Sequence, residues 1–243
     1  MTRFRTEEKL AMAHDLESCR ELSYLDSKRW AQAWDLRLGL DSSAIEAALV
    51  AASGSADFVY ARDRGATRQE FWIGLGAEEM QTPYTEWLAI IELAAASGTG
   101  PGKTTGSWVD LGAGYGRLGW VLALLDPGAD YLGFEWVKER VMAGRPVLER
   151  FGIDGEKLQI QDLLDPRFVL PEADHYFIFD FGSEEARRKI LEDLRAQALR
   201  RPISVFARGR GIRHQIDRET PWLSQIVEPV HRGTFSWYRS GVR

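Results

Sequence analysis

Long apolar runs, paired cysteines and an excess of positive charge are all missing from this chain of 243 residues. No stretch approaches the roughly 18 uninterrupted apolar residues that suggest a membrane span. The single cysteine, Cys19, has no partner for an internal disulfide or a cysteine-based metal site, and no metal is expected. Lys and Arg number 31 against 36 Asp and Glu, a net charge of −5. Proteins that wrap duplex DNA are usually basic, so nucleic acid is not the expected partner. The first residues, MTRFRTEEKLAMAHDLESC, are charged throughout and contain no apolar leader core; a cytoplasmic protein is expected. What the chain does have is an ordinary globular composition, 44% hydrophobic and 28% charged, which excludes a disordered or fibrous chain.

The N-terminal third reads as helical. Trp30, Trp34 and Leu38 recur at i, i+4, i+8, one stripe of a helix. Ser42 or Ser43 is placed to cap a second helix through Ala52, closed by Gly54 and Ser55. A third runs from Pro83 to about Ala96, with Thr82 as its cap. Ser97 to Ser107 is a loop by composition. From Trp108 the pattern changes to short apolar runs alternating with helical ones. Strands are expected at 108–111, 131–134, 158–161, 176–179 and 203–207. Helices are expected at 117–125, at 137–150 with a kink or break at Pro146, and at 184–199 behind Ser183. Such alternation implies right-handed crossovers and a parallel sheet. Gln225–Val230 and Thr234–Arg239 flank His231-Arg232-Gly233 and read as an antiparallel hairpin at the sheet edge.

The most informative segment is Val109-Asp110-Leu111-Gly112-Ala113-Gly114-Tyr115-Gly116-Arg117-Leu118-Gly119, between a strand and a helix. Glycines there let backbone approach a ligand closely, and the helix behind presents free N–H groups and a positive dipole end. Two readings compete. Gly114, Gly116 and Gly119 match the dinucleotide fingerprint, which keeps an NAD-linked oxidoreductase in play. Asp110 ahead of Gly112, Gly114 and Gly116 gives the pattern D-x-G-x-G-x-G. This pattern resembles motif I of the class I S-adenosylmethionine-dependent methyltransferases.

That resemblance covers about residues 80–243. It implies an α/β fold: a three-layer, doubly wound, seven-stranded and mostly parallel sheet, with the C-terminal antiparallel hairpin as its last two strands. Residues 1–80 would be an N-terminal helical extension and 81–243 the cofactor-binding domain. The implied cofactor is S-adenosylmethionine, held by Asp110, Gly112, Ala113, Gly114 and Gly116. Glu135, at the second strand end, would receive the ribose hydroxyls. Asp162 and Leu163, after the third strand, would meet the adenine. Thr82 or Gln81, with loop backbone, would hold the charged amino acid end. Asp180 ends the fourth strand in Phe179-Asp180-Phe181-Gly182-Ser183, which departs from the N/D-P-P-Y/F of the amine methylases; a general base is needed only for a protonated acceptor, and Asp180 is the best-placed candidate, with Tyr115 and Tyr84 as hydrogen-bonding alternatives. Arg208 and Arg210 follow the fifth strand and, with Arg213, would grip an anionic acceptor, as Tyr84 would line its site. The expected acceptor is a small molecule or a protein side chain. A binding module that keeps the pocket without the chemistry remains a third reading.

Overall fold

The computed structural model describes residues 2–53, 73–97 and 105–241. Most of the expected loop before Ser107 lies outside these, as do Gly54 and Ser55. Three N-terminal helices come first: α1 (Thr6–Glu17), α2 (Tyr24–Arg37) and α3 (Ser42–Ala52). The cap of α3 is Asp41 rather than Ser42 or Ser43: its Oδ1 accepts the Ala44 N–H at 3.0 Å. A carboxylate at that position also meets the positive end of the helix dipole. A short α4 (Ala77–Met80) precedes α5 (Tyr84–Ser97). Thr82 does not cap α5. The Pro83 carbonyl accepts the first helical N–H groups, from Glu86 and Trp87 at 3.1 Å each, so proline stands at the boundary, where its missing N–H leaves no gap.

The sheet has seven strands: β1 (Ser107–Leu111), β2 (Asp130–Glu135), β3 (Leu158–Ile160), β4 (His175–Phe179), β5 (Ser204–Arg208), β6 (Val230–Arg232) and β7 (Phe235–Arg239). Their spatial order is β3-β2-β1-β4-β5-β7-β6, with β1 to β5 parallel and β7 antiparallel to both neighbours. The expected doubly wound sheet with a terminal antiparallel hairpin is therefore present. The hairpin is tighter than expected. His231 and Arg232 belong to β6, Arg232 pairs with Phe235, and Gly233 turns with φ +35°, so only Gly233 and Thr234 form the loop.

Helices α6 (Arg117–Leu125), α7 (Lys138–Arg150), α8 (Glu184–Ala198) and α9 (Arg210–Glu219) complete the layers. Pro146 does not divide α7. It removes one helical bond, to the carbonyl of Met142, whose side chain is on an exposed turn. Helix α9 stands where no helix is expected, in the stretch whose arginines would grip the acceptor. Its Ile212 and Ile216, one turn apart, are fully buried, and this two-residue stripe is too short to stand out among the arginines.

Two cores lie on opposite faces of the sheet. On one, Trp108, Phe177 and Phe206 pack with Leu118 and Trp120 of α6, and with Leu16, Trp34 and Leu38 from the N-terminal helices. On the other, Val109, Ile178 and Val205 pack with Ile190 and Leu194 of α8 and Ile212 of α9. The chain leaves β1 toward the first face and β4 toward the second. A crevice opens between two such strands at their carboxyl ends.

Candidate functional site

In that crevice lies a cavity of about 290 Å³, close to the roughly 300 Å³ at which small-molecule clefts begin. Its wall brings together Gly112, Gly114, Tyr115, Glu135, Asp162, Leu163 and Asp180 from the expected set. Gly112, Gly114 and Gly116 all take left-handed backbone (φ +83°, +56° and +82°). The Gly112 and Ala113 N–H groups both donate to the Phe134 carbonyl at 2.9 Å, and the Gly116 N–H donates to the Ala113 carbonyl at 2.8 Å. The Gly114 N–H donates to Glu135 Oε2 at 2.9 Å. These four donors are committed within the protein, contrary to the expectation that they cradle the ligand's charged end. The loop's contribution is steric. A Cβ on Gly114 would meet no atom of the described residues within 4 Å, whereas one on Gly112 would press to 3.2 Å on Phe181.

Glu135 is buried at the end of β2. Besides the Gly114 contact, its Oε1 accepts the Val137 N–H at 2.8 Å. Each oxygen retains acceptor capacity toward the cavity, because a carboxylate offers about four lone-pair sites. Asp110 is almost wholly buried in β1 and stands outside the cavity wall. Burial, with the Glu135 charge adding to it, pushes the Asp110 carboxyl up to about 8. Asp162 is half-buried at the wall, and its Oδ1 accepts the Leu164 N–H at 2.8 Å.

Several expected residues have other work. Thr82 is buried with its carbonyl accepting Arg117 Nη1 at 3.0 Å. Tyr84 donates its hydroxyl to Asp35 at 2.5 Å and accepts from Trp120 at 3.0 Å. Arg208 pairs with Glu86 at 2.6 Å and lies over the Phe179 ring. Arg210 is exposed on the first turn of α9, and Arg213 donates to the hairpin at Ser236 and Gly233. None of these five side chains lines the cavity, nor do Ala113 and Gly116. The expected bases also bond within the protein. Asp180 accepts the Gly211 N–H at 2.8 Å and the Ile212 N–H, which makes it the cap of α9. Tyr115 donates to Glu46 at 2.6 Å, and burial, then the Glu46 charge, hold its phenol above the usual range.

The wall also holds residues that the motifs do not single out: Trp136, Arg140, Gln161 and Phe181. Trp136 directly follows Glu135, so its position was readable once that strand end was fixed. Gln81, the alternative to Thr82, is in the wall. It is 7% exposed, and neither its Oε1 nor its Nε2 has a hydrogen-bond partner among the described residues. A buried amide with nothing to bond is costly, and this one borders the cavity. Among the described residues no cluster of metal-ligating side chains occurs and no helix is long and apolar enough to cross a membrane.

No family model and no curated protein matches the sequence. Solved structures do. The S-adenosylmethionine-dependent O-methyltransferase of Thermotoga maritima superposes with a TM-score of 0.50 at 12% identity, over 67% of each chain. A Salinibacter ruber RNA methyltransferase, solved with S-adenosyl-L-homocysteine, gives 0.45 at 18% identity, over 67% of this chain and 93% of its own. A human methyltransferase 10 domain containing protein gives 0.46 at 14%, over 72% and 92%. With the strand order above, the fold is that of the S-adenosylmethionine-dependent methyltransferases.

Proposed function

We propose that this chain binds S-adenosylmethionine and transfers its methyl group to a small molecule or a protein side chain. The observation that carries this reading is the pairing of Glu135 with Gly114, an acid at the second strand end bonded to a glycine whose missing side chain opens onto the same cavity. The residues present fit the cofactor. Glu135 offers acceptors for ribose hydroxyls, Asp162 and Leu163 border the place for the adenine, and the unpartnered Gln81 amide supplies both a donor and an acceptor for an amino acid end. When bound, the sulfonium supplies an already activated methyl group.

The protein's task is then to position the acceptor and exclude water. Phe134, Trp136 and Phe181 provide the apolar walls for that. Tyr115 is held by Glu46, whereas Asp180, like Glu135, keeps acceptor capacity at the cavity wall and is the better placed of the two expected bases for an acceptor that must lose a proton. An NAD-linked reaction fits less well. A pyrophosphate is held by free N–H groups of the glycine loop, and those of Gly112, Ala113, Gly114 and Gly116 are committed.

Incubation with methyl-labelled S-adenosylmethionine and panels of small amines, thiols, carboxylates and peptides tests the activity. Label in an acceptor supports the transferase. Tight cofactor binding with no transfer across the panels favours the non-catalytic module.

A further inference from the structure

Behind the cavity, charged groups from distant parts of the chain meet out of water. Glu46 of α3 is 3% exposed and stands outside the cavity wall. Its Oε1 accepts the Tyr115 hydroxyl at 2.6 Å and Arg140 Nε at 2.9 Å, and its Oε2 accepts Arg140 Nη2 at 3.1 Å. Tyr115 and Arg140 both line the cavity. Gly144, one turn beyond Arg140, fixes this approach of α7: a Cβ there would lie 1.9 Å from the Tyr115 carbonyl oxygen. The remaining guanidinium nitrogen, Nη1, stands 3.9 Å from Glu135 Oε1, too far for a hydrogen bond.

We propose that Glu46 is a positioning residue for the cofactor site: by taking Arg140 Nε and Nη2, it holds the guanidinium off Glu135 and keeps that carboxylate open to the ligand. The proposal rests on the reading of this cavity as an S-adenosylmethionine site. Arg140 is a buried cation, and an unpaired buried charge is strongly unfavourable. Without Glu46, the nearest carboxylate along its free edge is Glu135. A closed Arg140–Glu135 pair would be charge-assisted and would use the lone pairs that ribose hydroxyls need. The N-terminal helices then belong to the ligand machinery, although their residue sits behind the wall.

The test is the affinity of S-adenosylhomocysteine, measured by calorimetry on full-length variants whose folding is checked by thermal melting. Glu46→Gln keeps the side chain's shape and removes its charge. It is expected to weaken binding about tenfold or more. Adding Arg140→Met removes the released cation and is expected to restore affinity to within about threefold of wild type. A structural role alone would not let a second core substitution improve binding. If Glu46→Gln does not fold, Glu46→Asp keeps the charge but withdraws it by one methylene, and at least a threefold loss is expected. Unchanged affinity in the folded single variant, or a double variant no better than Glu46→Gln, overturns the proposal. Wild-type protein that fails to bind S-adenosylhomocysteine overturns the cofactor reading itself.

Discussion

Arg117, the first residue of α6, places Nη2 2.5 Å from Asp35 Oδ2 on α2, with both side chains almost wholly buried. The same nitrogen lies 3.2 Å from Glu78, and Tyr84 donates to the other Asp35 oxygen. The helix that follows the glycine loop is thereby fastened to the N-terminal helices. Breaking one side of a buried pair costs about 3–5 kcal/mol where the other charge is stranded, and Glu78, still beside Arg117, sets the cost here toward the lower end. Asp35→Ala is expected to lower Tm by about 10 °C, at roughly 2–4 °C per kcal/mol for a chain of this size. A melt unchanged within about 2 °C would show that water reaches this pair.

Gly114 separates backbone strain from ligand contact. At φ +56°, alanine pays about 1–2 kcal/mol for left-handed backbone, yet its methyl meets no atom of the described residues within 4 Å. Gly114→Ala is expected to cost stability by no more than that backbone strain, about 1–2 kcal/mol, and to reduce S-adenosylhomocysteine affinity about tenfold, about 1.4 kcal/mol. Chemical denaturation and calorimetry on the same preparation measure the two. A variant that binds as wild type does would mean that the ligand keeps away from this side of the loop.

Asp110 gives a pH signature. Its carboxyl stands near 8 in the folded chain, against an ordinary 3.8. Between those values the folded state holds a proton that the unfolded state has lost, so this group's contribution to stability falls as pH rises from about 4 to about 8. Asp110→Asn removes that dependence. The stability of the ligand-free variant relative to wild type should therefore increase from pH 5 to pH 8, by on the order of a few kcal/mol. Parallel curves for the two proteins would mean that Asp110 is ionised throughout.

Arg208 and Arg210 should behave differently from each other. Arg208 is buried against Glu86 and the Phe179 ring, so Arg208→Ala is expected to lower stability by about 1–3 kcal/mol. Arg210 is exposed, and Arg210→Ala should stay within about 0.5 kcal/mol. Neither should alter S-adenosylhomocysteine affinity. A loss of affinity in folded Arg208→Ala would bring that side chain back to the ligand.

The parallel core of the fold was legible because its signals are local. Strand ends at Asp110, Glu135 and Asp180 are marked by acids after short apolar runs, and the glycine loop names its own turn. Helix α9 was not legible, because its buried face is two isoleucines among arginines and its cap, Asp180, lies about 30 residues earlier in the chain. The roles of Tyr84, Tyr115 and Arg208 were hidden for a related reason. Each is decided by one distant carboxylate: Asp35, Glu46 or Glu86. Nothing in the spacing of a sequence reports which buried acid a tyrosine or arginine will meet. Gln81 was readable as a candidate beside Thr82, but only packing separates the residue at the cavity from the one buried behind it.

Calorimetric titration with S-adenosylhomocysteine and, separately, NAD tests the cofactor assignment most directly. Wild-type protein should bind S-adenosylhomocysteine at least about tenfold more tightly than NAD, and Glu135→Ala should weaken the former about 10- to 100-fold in a folded protein, the worth of charge-assisted hydrogen bonds to the ribose. NAD binding as tight as S-adenosylhomocysteine binding, or a folded Glu135→Ala protein with wild-type affinity, would contradict it.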